Sequence, residues 1–421
     1  MYQRTVADNG LRIVTSNMPH IRSVCISIFV GAGSRYEPAE QAGISHFVEH
    51  LLFKGTQQRA TTKEICEAIE GIGGVLNGGT DKELSVYWTK VARPHFRTAL
   101  DVLADMICGS KFDPLEMEKE RQVIIEEINM SMDSPQQRVN TLIDEVVWPD
   151  QALGRDVAGS KEMVTALAPQ ALRGYWGRQY IPGNAVASVA GDISHDEVVA
   201  QVSYIFDDWA GEGATNWIPA RDDQDKPRLL TEFRKTEQAH LCLALRGVSN
   251  SDPDRFVFDL LNIVLGEGMS SRLFLELRER KGLAYDVHSY ASHFFDSGSL
   301  TVYAGVEPKN IEAAIEVILG QLSRFKAEDV PESELVKAKE MAKGRLLLRM
   351  EDTRNVSGWI GSQELLTGEI KTVDDVVSIV DAITADDIRR VSQGLFHSEK
   401  LSLAIVGPVS DDIRFQKLLV L

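Results

Sequence analysis

Hydrophobic positions in the first half of the chain repeat with two different periods, which predicts a mixture of strands and helices. Runs rich in β-branched residues predict strands at about 11–16, 22–31, 75–80, 84–88 and 185–191. Periods of three to four residues, with turn or cap signals at their ends, predict helices at about 42–53, 61–71, 94–109, 114–132 and 194–209.

The second half of the chain repeats the pattern of the first. Leu300-Thr301-Val302-Tyr303 matches Leu84-Ser85-Val86-Tyr87 at an offset of 216, and an apolar-periodic helix follows each run. This indicates a duplicated α+β unit. We expect a first domain at 1–212 and a second at 229–421. The linker between them, 213–228, is small, polar and acidic and contains proline.

Composition and charge narrow the functional classes. With 421 residues the chain needs two or more domains, and its net charge of −17 argues against nucleic acid as a partner. The charge permits attraction of basic or unfolded peptides, or it serves solubility. The four cysteines form no C-x-x-C pair, and no apolar run is long enough for a membrane span. We therefore expect a cytoplasmic protein with reduced thiols and no membrane partner.

Candidate chemistry lies in the helix predicted at 42–53. It contains His46, Glu49 and His50 in the spacing H-x-x-E-H, and positions i, i+3 and i+4 share one helix face. Two imidazoles one turn apart suit a zinc ion, and the carboxylate between them can take a proton from water. The offset of 216 places Asn262 and Gly266 at the two histidine positions, so the second copy lacks the motif.

A catalytic zinc ion usually has three protein ligands, so a third is expected elsewhere. The helix at 114–132 is rich in glutamate and is the best source. Glu120 and Glu127 lie two turns apart on one face of it. Reasoning from the residues alone leaves both Glu126 and Glu127 open as the third ligand.

The run from Gly43 to Thr56 resembles the inverted-zincin metallopeptidases of the pitrilysin and insulysin family. The resemblance to the branch of small subunits, such as the catalytic subunit of mitochondrial processing peptidase and its bacterial relatives, covers nearly the whole chain. It implies two homologous α/β-sandwich domains that form one bowl-shaped half of a peptidase chamber, with one Zn²⁺ per subunit. It also implies Glu127, 77 positions after His50, as the third ligand, Glu120 as its outer partner and Glu49 as the catalytic base.

Two further stretches resemble substrate-binding elements of the same family. The stretch from Gly73 to Glu83 resembles the edge strand that pairs with the substrate backbone, and it includes Asn77 and Gly78. The family usually has alanine where this chain has Gly78. Arg278 and Tyr285, seven residues apart, match the family's arginine–tyrosine element. A guanidinium and a phenol can hold the substrate carbonyl and stabilise an oxyanion.

The resemblance implies an endopeptidase that hydrolyses short or unfolded peptides inside a closed dimeric chamber. One chain supplies one bowl and carries both elements, so we expect a homodimer in which Arg278 and Tyr285 complete the partner's site. Two alternatives stay open at this point. One is a dedicated processing peptidase for a single precursor or presequence, and the other is a non-catalytic structural subunit.

Overall fold

The structure, a computed structural model, describes residues 2–409 and 412–421. Within these residues the strands are β1 (Tyr2–Val6), β2 (Arg12–Asn17), β3 (Ser23–Val30), β4 (Val75–Thr80), β5 (Ser85–Ala92), β6 (Ala185–Gly191), β7 (Arg228–Phe233), β8 (Ala239–Arg246), β9 (Ala284–His293), β10 (Gly298–Val306) and β11 (Ser402–Gly407). The α-helices are α1 (Ile44–Leu52), α2 (Thr62–Glu70), α3 (Phe96–Gly109), α4 (Pro114–Asp133), α5 (Pro135–Val147), α6 (Lys161–Ala166), α7 (Pro169–Gln179), α8 (His195–Ile205), α9 (Arg255–Gly266), α10 (Ile311–Ala327), α11 (Glu332–Arg349), α12 (Thr353–Leu366), α13 (Val373–Ala382), α14 (Ala385–Leu395) and α15 (Asp412–Gln416).

The strands form two sheets with the same topology. The first has the order β1-β2-β6-β3-β5-β4, and the second has the order β7-β11-β8-β10-β9. In each sheet one pair is parallel, β2 with β6 and β7 with β11, and the other pairs are antiparallel. Apart from the extra edge strand β1, the second sheet repeats the first. This confirms the predicted fold class of two homologous α/β domains that arose by duplication.

Two compact units divide the chain, and neither is continuous in sequence. The first comprises the chain up to Ile128, Asp156–Ile218 and Leu347–Thr372, and the second comprises Asn129–Arg155, Pro219–Leu346 and the chain from Val373 onward. The domains expected from sequence are instead consecutive halves. The difference arises because α12 packs on the sheet of the first unit, whereas α5 packs on β8 and β11 in the second.

Helix α12 is bound closely to the first sheet. Its Ile360 joins a buried apolar cluster with Phe29 of β3, and the Ser357 hydroxyl donates to the Ser27 hydroxyl at 2.8 Å. A Cβ at Gly361 would lie 2.4 Å from the Phe29 ring. Small residues on α12 therefore let its backbone approach the sheet at the packing density of a protein interior.

The stretch predicted as a linker contains no helix or strand before β7, within residues that the structure describes. Its first part is hydrogen-bonded to the first unit. The N–H of Thr215 donates to Gln179 Oε1 at 2.7 Å, and the N–H of Ile218 donates to the Arg35 carbonyl at 2.8 Å.

No helix of the described residues has the length and apolar character needed to cross a membrane.

Candidate metal centre

Helix α1 carries the H-x-x-E-H motif on its half-buried face. Its apolar face is buried and consists of Ile44, Phe47, Val48, Leu51 and Leu52. The start of the helix is held by Glu37, whose fully buried carboxylate accepts from the N–H groups of Gly43 and Ser45 at 2.9 Å each. A carboxylate at this end satisfies two free donors and interacts favourably with the helix dipole.

The imidazoles of the motif converge on one point. Nε2 of His46 lies 3.2 Å from Nε2 of His50. Oε2 of Glu127, on α4, lies 3.8 Å from the first nitrogen and 3.5 Å from the second. Among the described residues, these three form the group that could hold a metal ion, with ligand atoms all within 4.8 Å of one another.

Helix α4 distinguishes the two glutamates between which sequence reasoning could not choose. Glu127 directs its carboxylate toward the histidines, whereas Glu126 lies outside the ligand group. Successive residues of a helix point about 100° apart, so one of the two must face away. Glu120, two turns before Glu127, lies on the inner face and is 5% exposed.

Glu120 connects His50, a candidate metal ligand, to a lysine. Its Oε2 lies 3.0 Å from Nδ1 of His50, and its Oε1 lies 2.7 Å from Nζ of Lys54. Burial alone would raise the pKa of Glu120, but the hydrogen bonds from His50 and Lys54 outweigh burial and lower it. An ionised carboxylate only accepts, so Nδ1 of His50 donates and Nε2 keeps its lone pair for a metal.

Burial and neighbouring charges set the protonation of the motif. Burial, together with the charge of His50, lowers the pKa of His46 to about 4. Burial also acts to lower the pKa of His50. The hydrogen bond to Glu120 and the nearby carboxylates outweigh burial, so the pKa of His50 is raised. Burial raises the pKa of Glu49, an effect that the Thr80 hydroxyl opposes. His46 is therefore neutral near pH 7, as a metal ligand must be.

The donor set fits a zinc ion. Zinc–nitrogen and zinc–oxygen bonds of about 2.0–2.2 Å at tetrahedral angles place two ligand atoms roughly 3.3 Å apart. The observed separations of 3.2, 3.5 and 3.8 Å are close to this value. Without a cation, the three ligand atoms share at most one donor, an N–H of His46 between the two imidazoles. Three protein ligands also leave one position open, which is typical of catalytic zinc.

The predicted substrate-binding residues of the first unit lie on β4. This strand is at the end of its sheet, so one of its edges is unpaired among the described residues. Asn77 is exposed, and its Oδ1 accepts from the N–H of Gly78 at 2.8 Å. A Cβ at Gly78 would lie 3.0 Å from the Phe53 ring. Glycine thus keeps β4 close to the end of α1.

Arg278 and Tyr285 lie together in the second unit. Cζ of Arg278 is 5.1 Å from the centre of the Tyr285 ring, a cation–π distance, and Tyr285 is 74% exposed. Arg278 belongs to a π-helical turn, Phe274–Arg280, and Tyr285 lies on the edge strand β9. Turns of this kind are frequent at functional sites. The structure brings the pair together, and its role in catalysis stays a prediction.

Sequence reasoning missed two residues that organise this centre. Lys54 lies one turn after His50, and this spacing was the available signal for it. Glu37 caps α1 from six residues before Gly43, a distance at which no local rule for helix caps applies. The other site residues were identified by motif or by family resemblance.

Comparison with family models gives two matches. Residues 12–161 match the model described as Insulinase (Peptidase family M16). Residues 166–342 match the model described as Peptidase M16 inactive domain. The first match contains the H-x-x-E-H motif, and the second contains Asn262 and Gly266 in its place.

Similar proteins span nearly the whole chain. The uncharacterized zinc protease YmxG of Bacillus subtilis is 38% identical over 412 residues, which are 97% of this chain and 98% of that protein. An uncharacterized zinc protease of Rickettsia felis is 35% identical over 407 residues, 96% of this chain and 97% of that protein.

A solved protease from Helicobacter pylori has a TM-score of 0.92 at 22% identity, covering 97% of this chain and 99% of that chain. A chain of complex III2 from Candida albicans has a TM-score of 0.85 at 18% identity and covers 100% of both chains. At these identities the two solved structures show the fold alone.

Proposed function

The chain belongs to the M16 peptidase family, and we propose that it is a zinc-dependent endopeptidase acting on short or unfolded peptides. The relatives are named zinc proteases, which supports a metallopeptidase in general. The observation that carries the proposal is the convergence of His46, His50 and Glu127 beside Glu49. Three ligands, an open position and a base are what metal-assisted hydrolysis needs, and a structural metal site lacks the last two.

In this proposal His46, His50 and Glu127 hold one zinc ion, and Glu120 fixes the ring of His50. Bound zinc would supply Lewis acidity toward water and the peptide carbonyl. Glu49 takes the proton from the attacking water and passes it to the leaving amine. Burial raises its pKa, so Glu49 is a stronger base than an exposed carboxylate.

The unpaired edge of β4 is the proposed docking line for the substrate. An extended peptide that adds to a sheet edge gains main-chain hydrogen bonds with little demand on its sequence. Asn77 and Gly78 lie on this strand, next to Phe53 at the end of α1. Recognition of backbone requires an extended chain, which favours short or unfolded peptides over folded proteins.

A homodimer with a closed chamber is the proposed active form. In it, Arg278 and Tyr285 of one subunit complete the zinc centre of the other. Both side chains are exposed in the single chain and are in contact with each other, so they are available to a substrate carbonyl or a developing oxyanion. The chain carries both this pair and the zinc motif, so two identical subunits suffice.

Glu49→Gln tests the central assignment, because glutamine keeps the size of the side chain and removes the base. We expect metal analysis to find one zinc ion per subunit, as in the unsubstituted protein. Cleavage of a peptide library should fall by about 10²–10⁴-fold, the usual contribution of a general base. Glu126→Gln, beside a ligand but exposed, should change neither quantity. Unchanged turnover in Glu49→Gln would refute the role of this residue.

The same peptide library separates a general endopeptidase from a dedicated processing peptidase. A general enzyme should cleave many unrelated peptides, and a chelator should abolish every cleavage. Cleavage restricted to one or a few related sequences would favour a processing peptidase. A protein that binds no zinc and cleaves nothing would be a structural subunit.

A further inference from the structure

Lys54 is not a ligand, yet hydrogen bonds connect it to one. Its Nζ lies 2.7 Å from Oε1 of Glu120, and Oε2 of the same carboxylate lies 3.0 Å from Nδ1 of His50. Glu120 is 5% exposed, so few other partners can reach its oxygens. Each oxygen is used by one partner, and together the two contacts fix the plane of the carboxylate.

The position of Lys54 follows from the way α1 ends. The helix stops at Leu52, and the N–H of Lys54 still donates to the Leu51 carbonyl at 3.0 Å. Lys54 is therefore one turn after His50, on the same side. Gly55, with a φ of +114°, then turns the chain away, and a Cβ there would lie 2.5 Å from the Ala60 carbonyl oxygen.

We propose that Lys54 is a positioning residue of the zinc centre: its ammonium fixes the Glu120 carboxylate, and this carboxylate fixes the ring of His50. The inference rests on the proposed function and extends the centre one layer beyond Glu120. A histidine ligand needs its second nitrogen bound to a partner of fixed orientation, because that partner sets both the tautomer and the ring plane. With Lys54 removed, one oxygen of a buried carboxylate loses its donor, and the carboxylate is free to turn away from His50.

The second copy of the fold provides an internal comparison. The offset of 216 places Ser270 at the position of Lys54, just as it places Gly266 at the position of His50. There a lysine from another helix, Lys337 on α11, donates to the Ser270 carbonyl at 2.7 Å. The copy without histidine ligands thus also lacks the lysine, as expected if the lysine serves the metal.

Zinc affinity of Lys54→Met, measured by competition with a chelator, tests the inference without using activity. We expect binding about tenfold weaker, at the low end of the range for outer partners of metal ligands. We also expect the visible absorption bands of the cobalt-substituted protein to shift, because the orientation of His50 changes. Loss of a positive charge would by itself strengthen cation binding, so the direction of the change separates positioning from charge.

Matched variants isolate the path through Glu120. Lys119→Met removes a neighbouring exposed lysine that pairs with Glu116, and it should leave zinc affinity unchanged. Lys54→Arg keeps a cationic donor and should stay within about threefold of the unsubstituted protein. In a Glu120→Gln background the carboxylate that joins Lys54 to His50 is already absent, so adding Lys54→Met should change zinc affinity by less than about twofold.

The inference would be overturned if Lys54→Met bound zinc as tightly as the unsubstituted protein, or more tightly. It would also be overturned if Lys54→Met weakened zinc binding in the Glu120→Gln background as much as it does alone. Thermal unfolding checks that each variant is folded, and Lys54→Gln replaces Lys54→Met if the latter does not fold. If the unsubstituted protein binds no zinc, the proposed function fails and this inference fails with it. If that protein binds zinc and Lys54→Met binds it equally well, the inference alone fails.

Discussion

Helices α1 and α9 occupy corresponding places in the two units, but they contact their sheets differently. At the position of His50, α9 has Gly266, where a Cβ would lie 2.4 Å from the Ser289 hydroxyl and 2.7 Å from the Ser289 nitrogen of β9. At the position of His46 it has Asn262, whose Oδ1 accepts from the Ser289 hydroxyl at 2.6 Å. The second copy has therefore replaced its ligand positions with direct helix–sheet packing.

Charges near α9 are also arranged differently from those near α1. Arg345 of α11 pairs with Glu267, and Arg272 donates to Glu334 at 2.7 Å. By the same offset of 216, Val336 and Lys343 occupy the positions of Glu120 and Glu127, so the second unit has an apolar residue and a cation where the first has carboxylates. Among the described residues of the second unit, no comparable group of ligands converges. The second copy is thus closed to a metal by packing and by charge, and not only by the loss of two histidines.

The strongest loss of turnover is expected when Arg278 and Tyr285, the residues that the second unit is proposed to contribute to catalysis, are both replaced. Arg278→Ala combined with Tyr285→Phe should leave zinc content unchanged and lower turnover by about 10²–10³-fold, the effect of losing an oxyanion donor. Steady-state kinetics on a cleaved library peptide measures this loss. Arg280→Ala, an exposed arginine on the same turn that pairs with Glu276, is the matched control and should retain turnover.

Mixing this double variant with Glu49→Gln tests whether the pair acts across the dimer. After random exchange, half of the dimers are mixed and each mixed dimer has one intact site, so about a quarter of the full activity should return. Subunit exchange is verified by mass-tagged chains. No return of activity despite proven exchange would mean that Arg278 and Tyr285 do not act on the partner's zinc centre.

A smaller effect is expected where α9 packs on β9. Gly266→Ala should lower the free energy of unfolding by roughly 1–3 kcal/mol, because the added methyl group meets Ser289 backbone in a filled interior. Zinc content should not change, since the proposed ligands lie in the first unit. Gly320→Ala in α10, where a Cβ meets nothing within 4 Å, should instead be neutral or stabilise by up to about 1 kcal/mol. Denaturant unfolding measures both, and equal effects would contradict the close packing of α9.

Sequence patterns predicted the common fold and placed the three motif residues on one helix, and each of these predictions has a local cause. The helical period alone places His46, Glu49 and His50 on one face. Helix geometry did not select Glu127 over Glu126, because the choice depends on how α4 is rotated against α1. The family resemblance pointed to Glu127.

The prediction of two consecutive domains did not include the placement of α5 in the second unit and of α12 in the first. Helical periodicity indicates a buried face but not which sheet covers it. Lys54 was missed because a lysine at the end of a helix is common for reasons unrelated to metals.

The smallest change is expected at Gly78, the glycine that packs beside the end of α1 in the first unit. Gly78→Ala places a methyl group 3.0 Å from the edge of the Phe53 ring and 3.3 Å from the Tyr87 ring. Phe53 is only half-buried at the end of α1, so its ring can shift by the few tenths of an ångström required. We expect the free energy of unfolding to change by less than about 1 kcal/mol.

Turnover of Gly78→Ala should stay within about threefold of the unsubstituted protein, because the outer edge of β4 keeps its backbone groups for the substrate. Gly79→Ala, the next residue of the strand, is the matched control, since a Cβ there meets nothing within 4 Å. A loss of stability at Gly78 as large as that at Gly266 would show that Phe53 is as fixed as the Ser289 backbone. In that case the first unit would be as tightly closed around α1 as the second is around α9, and the contrast between the two copies would lie in their ligands alone.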